Sequence, residues 1–201
     1  MIDRYLLPLL KRRLEPVAKA FARRELSANG VTAIGFGIGL LNLPLLATGQ
    51  YRLALLAILC NRLFDGLDGA MARLAGPTDS GAFLDIAFDF FFYATVPLGF
   101  ALADAHNAVA AATLLLAFVG TGSSFLAYAA IAAKHGKSAA HYPHKGIYYL
   151  GGLTEGAETI ALFVVICLWP TLFPGLAFGF AALCGLTTLM RWWRGYVDFK
   201  A

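Results

Sequence analysis

Six apolar stretches dominate the chain: Val31 to Ala47, Leu53 to Phe64, Ala82 to Ala103, Ala108 to Ala133, Thr159 to Trp169 and Leu176 to Met190. Only short polar or Gly/Pro-marked breaks separate them. With 59% apolar residues against 14% charged ones, lipid rather than water is the natural solvent. A spanning helix needs roughly 20 residues, and several stretches extend into polar flanks. The expectation is an all-α integral membrane protein of about six transmembrane helices. The second and fifth stretches are short enough to suit buried helices of a soluble protein, a reading that the other four oppose.

Ahead of the first stretch runs "MIDRYLLPLLKRRLEPVAKAFARREL", charged, amphipathic and interrupted at Pro16. It lacks the short apolar core and small-residue cleavage site of a signal peptide, and it reads as an interfacial helix with Lys and Arg at the headgroups. The chain divides into an amphipathic cytoplasmic or interfacial segment, 1–26, and one six-helix membrane domain, 27–201.

Basic residues set the orientation, because Lys- and Arg-rich loops stay cytoplasmic. Arg4, Lys11, Arg12, Arg13, Lys19, Arg23 and Arg24 precede the first stretch, Arg73 follows the second, Lys134, Lys137 and Lys145 follow the fourth, and Arg191, Arg194 and Lys200 close the chain. The opposite connections, around Gln50, Asp104 and Pro170, offer only Arg52. Both termini and the acid-rich turn are therefore expected in the cytoplasm. The net charge of +4 follows from topology and anionic membrane lipids, with no nucleic acid partner required. Cys60, Cys167 and Cys184 lie in apolar stretches without ligand spacing and read as packing residues.

"DGLDGAMARLAGPTDSGAFLDIAFDF", Asp65 to Phe90, holds five of the twelve acidic residues. Asp65 and Asp68 share one helix face with Gly69 and Ala72, and Gly81, Asp85 and Asp89 recur every four residues along the next helix. Two antiparallel helices joined by a short turn would aim four carboxylates at one spot. Such a group is costly near lipid unless cations neutralise it or some members take up protons. An all-oxygen set favours Mg²⁺, Mn²⁺ or Ca²⁺ over zinc, and a pair of divalent ions suits a clamp on a diphosphate. Asp79, after "GPT", reads as a turn or capping residue. The spacing excludes an EF-hand.

This stretch resembles the signature of the CDP-alcohol phosphotransferase family, D-x-x-D-G-x-x-A-R, a spacer, then G-x-x-x-D-x-x-x-D. Here the fixed positions are Asp65, Asp68, Gly69, Ala72, Arg73, Gly81, Asp85 and Asp89. One departure is visible: the spacer from Leu74 to Ser80 has seven residues where the family usually has eight. The resemblance implies that Asp65, Asp68, Asp85 and Asp89 hold two divalent cations, Mg²⁺ or Mn²⁺. It implies that Gly69, Ala72 and Arg73 help bind the CDP moiety, and that Asp89 is the general base on an acceptor alcohol. Asn29 and Thr32 resemble a polar pair often found there in the family, which makes them candidates for touching the nucleotide; a plain cap by Ser27 or Asn29 is the alternative. The family also implies a homodimer, CDP-diacylglycerol as donor with its acyl chains in the bilayer, and CMP as leaving group. It places the active site on the cytoplasmic face of a bacterial-type inner membrane.

A second polar cluster, "KHGKSAAHYPHKGIYYLGGLTEGAETI", lies between the fourth and fifth stretches. Lys134, Lys137, His144 and Lys145 are candidates for binding a phosphate on the acceptor, or simply face anionic headgroups. Glu155 and Glu158 either pair structurally with Arg62 or a lysine, or meet acceptor hydroxyls. The basic loop makes glycerol 3-phosphate the leading small-alcohol acceptor, with inositol phosphate, serine or another alcohol as alternatives. An Asp-rich membrane prenyltransferase and a divalent-cation transporter are more distant readings.

Overall fold

The computed structural model describes residues 14–21, 23–24, 26–136 and 152–200, with no strand among them. Residues 14–21 form a helical segment, α1; residues 1–13 of the expected amphipathic stretch lie outside the described residues. Leu14 and Ala18 bury against Val31, Leu67, Ala70 and Met71, while Glu15 and Lys19 pair at 2.7 Å on the exposed side. Spacing of four residues separates an apolar face from a charged one, which is the amphipathic pattern.

Ser27 opens α2 (Ala28–Leu40) by accepting the Gly30 N–H at 3.1 Å, a cap worth about 1 kcal/mol. The first apolar stretch is not one straight helix. It breaks at Leu41 and resumes as α3 (Asn42–Ala47), with Asn42 fully buried at the joint. The Asn42 amide nitrogen donates to the Gly39 carbonyl at 2.6 Å and to Thr95 Oγ1 at 2.8 Å, so its N–H groups are satisfied partly by a residue from another helix.

Next come α4 (Tyr51–Ala75), α5 (Asp79–Ala103), α6 (Ala108–Lys134), α7 (Gly156–Leu168) and α8 (Phe173–Phe199), with single 3-10 turns at Ala105–Asn107 and Pro170–Leu172. Gly76 ends α4 with φ 95°, a conformation that glycine adopts without strain. Thr78 then caps α5 by accepting the Gly81 N–H at 3.1 Å. Asp79, expected as the turn or capping residue, is instead the first residue of the helix, where its charge favours the helix dipole.

Among the described residues, four segments are long and apolar enough to cross a membrane: Ala28–Ala47, Asp79–Ala103, Ala105–Lys134 and Pro170–Phe199. The remaining two of the six expected spans correspond to α4 and α7. α4 has 25 residues, but Arg52, Arg62, Asp65, Asp68 and Arg73 make it polar; α7 has only 13 residues, about 20 Å of helix.

The helices hold together by close packing, since lipid gives apolar side chains no reason to leave it. α6 lies along α8, α2 along α4, and α3 against α5. At Gly39, α2 comes so close to α4 that an added Cβ would stand 2.8 Å from the Asn61 side chain. Phe92, Phe100, Phe163 and Phe173 are fully buried in the main core. Phe100 stacks on Phe173 at 4.3 Å and on Tyr51 at 5.4 Å, closing the end of the bundle opposite the acidic turn.

Candidate active site

Helical register carries Asp65 and Asp68 on α4, and Asp85 and Asp89 on α5, to a single cavity. Thr32, Gly35, Phe36, Asn61, Arg62 and Phe88 complete its lining. The site is not built by pressing α4 against α5 along their length. α2 packs on both and lies beside the gap into which the carboxylates project. Phe36 on α2 stacks on Phe88 at 4.1 Å and forms an apolar wall.

Asp65, Asp68 and Asp85 each offer a carboxylate oxygen within 4.8 Å of the others. Asp68 is 5% exposed, and its Oδ2 has no hydrogen-bond partner among the described residues. An orphaned buried carboxylate oxygen is expensive unless a ligand completes it. The donor set is oxygen only, and the cavity has room for about one water-sized particle. These features fit a hard divalent cation such as Mg²⁺ or Mn²⁺.

Asp89 stands slightly apart, because its Oδ1 accepts from Arg62 Nη2 at 2.6 Å. Arg62 also lies 3.5 Å from Asp65 Oδ2 and donates to the Tyr93 hydroxyl at 3.3 Å. Both residues extend the site beyond the sequence motif. Arg62, three residues before Asp65, lies on the same helix face, so its approach to Asp65 is legible from spacing. Its bond to Asp89 depends on how α5 is placed.

The candidate nucleotide residues surround this cluster. Gly69 and Ala72 follow Asp68 on α4, and the exposed Arg73 reaches back so that its Nη1 stands 3.4 Å from where a Gly69 Cβ would lie. Thr32 lines the cavity, with its hydroxyl donating to the Ala28 carbonyl at 3.0 Å. Asn29 is not a cap. Its amide lies 3.5 Å from Ser80 Oγ, and its Oδ1 is close to Gly81 in the first turn of α5, tying α2 to the acidic turn.

Glu155 and Glu158 form a reciprocal capping box at the start of α7, with the Glu155 N–H donating to Glu158 Oε2 at 3.2 Å. Arg62, one of the partners weighed for them, is engaged by Asp89 and Asp65. Lys134 is exposed at the end of α6, while Lys137, His144 and Lys145 lie outside the described residues. Arg191 on α8 is an additional buried cation near this entrance. It is 8% exposed, donates to the Thr121 carbonyl at 2.9 Å and lies over the Phe125 ring.

The family model for CDP-alcohol phosphatidyltransferase matches residues 26–194. Inner membrane protein YnjF of Escherichia coli (strain K12) is 54% identical over 202 residues, covering 100% of this chain and 98% of that protein. Two crystal structures of Mycobacterium tuberculosis phosphatidylinositol phosphate synthase (PgsA1) share the fold. The one with CDP-DAG bound has TM-score 0.73 and 22% identity, covering 92% of this chain and 94% of that one. The one in complex with manganese and citrate has TM-score 0.73 and 23% identity, covering 91% and 88%. With the motif complete and the family match extending over nearly all the helices, the chain belongs to the CDP-alcohol phosphatidyltransferase family.

Proposed function

We propose that this protein transfers a phosphatidyl group from CDP-diacylglycerol to a small alcohol with release of CMP, and that glycerol 3-phosphate is the leading acceptor. The observation that carries the reading is the convergence of Asp65, Asp68 and Asp85 beside Asp89 at one cavity. The same fold in a neighbour with CDP-DAG bound supports the donor, and its counterpart with manganese supports a divalent cation.

Asp65, Asp68, Asp85 and Asp89 would hold two ions, Mg²⁺ or Mn²⁺, which supply positive charge against the donor diphosphate. Asn29, Thr32, Gly69, Ala72 and Arg73 would position the CDP moiety, Gly69 permitting its close approach to the α4 backbone. Asp89 would take the proton from the acceptor hydroxyl as that oxygen attacks the phosphorus bearing the lipid. The bond from that phosphorus to the bridging oxygen breaks, and CMP leaves with the electron pair. The exposed Lys134, together with Lys137, His144 and Lys145, would attract a phosphorylated acceptor, with Glu155 and Glu158 ordering the entrance of α7.

In this reading α4 and α7 complete six spans, α1 lies at the interface, the protein is a homodimer, and the site faces the cytoplasm of an inner membrane, as the name of the Escherichia coli relative suggests. Inositol phosphate is the second acceptor to consider, because the solved neighbour, seen in both structures, is named phosphatidylinositol phosphate synthase.

The test incubates purified protein with CDP-diacylglycerol and Mg²⁺ or Mn²⁺. Glycerol 3-phosphate, inositol phosphate, inositol and serine are supplied separately, and CMP and lipid product are followed together. CMP with phosphatidylglycerol phosphate is the expected result. CMP with another new lipid reassigns the acceptor; in parallel reactions, pyrophosphate released from an added prenyl diphosphate, or metal uptake into protein-loaded liposomes without CMP release, would replace the reading.

A further inference from the structure

Arg62 is outside the D-x-x-D-G-x-x-A-R pattern, yet it is held by several contacts beside the carboxylates. Its Nε and Nη2 donate to Asn61 Oδ1 at 2.9 and 2.6 Å, and its guanidinium lies 4.9 Å from the centre of the Phe92 ring. Asn61 is itself fixed, donating to the Gly35 carbonyl on α2 at 3.0 Å. These contacts hold the guanidinium in place without help from any carboxylate. From that position it bonds Asp89 Oδ1 at 2.6 Å and faces Asp65 Oδ2 at 3.5 Å. Its ion pairs thus fall on Asp89, from α5, and Asp65, from α4.

The carboxylates are therefore unequal. Asp65, Asp68 and Asp85 converge within 4.8 Å, with the orphaned Asp68 oxygen among them, whereas one oxygen of Asp89 is already engaged. Taken by themselves, the four ionised carboxylates and Arg62 carry a formal charge of minus three, and any further cation nearby only lowers that excess. One divalent ion nearly neutralises the group, and a second makes it positive. A fixed guanidinium a few ångströms away opposes that second charge until negative charge arrives with the donor.

We propose that Arg62 is a resident counter-cation that makes metal loading stepwise: one divalent ion binds at Asp65, Asp68 and Asp85, and a second joins at Asp89 only with a diphosphate ligand. The inference rests on the divalent-cation part of the proposed function, and it assigns Arg62 a positioning role at Asp89. The donor thereby brings the conditions for its own activation, and an empty site does not hold both ions.

The experiment titrates the purified full chain with Mn²⁺, with and without CDP as a soluble diphosphate. Bound ion is read by calorimetry, and magnetic coupling between two bound Mn²⁺ ions is read by electron paramagnetic resonance. Mn²⁺ and CDP alone in solution provide the background. The wild-type protein should bind one ion per chain without CDP and show coupled ions with it. In R62Q the second ion should bind at least about tenfold more tightly without CDP, since a nearby unit charge is gone. R62K keeps the charge and should retain stepwise loading.

Two equivalent ions in the wild type without CDP would overturn the proposal, as would unchanged loading in folded R62Q. If R62Q does not fold, the wild-type titration can still overturn the proposal, and loss of stepwise loading in folded R62K would do so too. CMP release accompanied by equivalent ion sites would remove this inference and leave the transferase reading; stepwise loading without CMP release would do the opposite.

Discussion

At the scale of single residues, Asp89 has a geometry different from its neighbours: one oxygen is held by Arg62, and the side chain stays 30% exposed. A base needs this combination of fixed orientation and access to an incoming hydroxyl. Asp89→Asn preserves the size of the side chain and an oxygen that can accept from Arg62, but removes the proton acceptor. CMP release should fall by about 10²-fold or more, the scale of general-base contributions, while the protein still elutes as a folded species. CMP release at the wild-type rate from that variant would remove Asp89 from the base role. The motif carboxylates are legible from sequence because their spacing is a property of one helix. Arg62 is only half legible: its approach to Asp65 follows from spacing, whereas its bonds to Asp89 and Tyr93 exist only once two helices are placed.

At the scale of elements, sequence patterns mark helices well where the cause is local and less well where it comes from a distant partner. The caps of α2 and α5 use Ser27 and Thr78 on their own first turns, so the start of each helix is close to expectation and the cap of α5 is displaced by one residue. The break between α2 and α3 is different, since Asn42 is satisfied partly by Thr95, 53 residues away. The short spacer between the two halves of the motif can be judged in the same terms. Residues 76–80 are exposed, and Thr78 starts α5 afresh, so the turn is separate from the packed register of α5. One alanine inserted between Gly76 and Pro77, restoring the usual spacer length, should leave CMP release within about threefold, as exposed turns tolerate insertion. One alanine between Phe90 and Phe91 should turn Asp85 and Asp89 by about 100° relative to the buried Phe92 and Phe100, abolishing both Mn²⁺ binding and CMP release. Loss of activity in the turn insertion would mean that the spacer itself positions the carboxylates.

At the scale of the whole molecule, the two ends of the bundle have opposite chemistry. Tyr51, Phe100 and Phe173 stack across one end, near the connections at Gln50, Asp104 and Pro170. At the other end lie the acidic cavity, Lys134, the capped entrance of α7 and the buried Arg191. Charge bias along the chain therefore coincides with a structural polarity, and the proposed topology, with the reactive end in the cytoplasm, follows the positive-inside rule. Under the proposed function that topology also decides substrate access, because a water-soluble acceptor would arrive from the side where the cavity opens while the acyl chains of a CDP-diacylglycerol donor would remain in the bilayer. Cysteine labelling checks it directly. In a background with Cys60 replaced by Ala, leaving only the buried Cys167 and Cys184, Gln50→Cys and Asp104→Cys should react with a membrane-impermeant maleimide in intact inverted-free spheroplasts. Ala75→Cys and Lys134→Cys, both exposed at the acidic end, should react only after the membrane is opened. The reverse pattern would put the cavity outside, away from a cytoplasmic supply of phosphorylated alcohol, and would require an acceptor delivered from the other face.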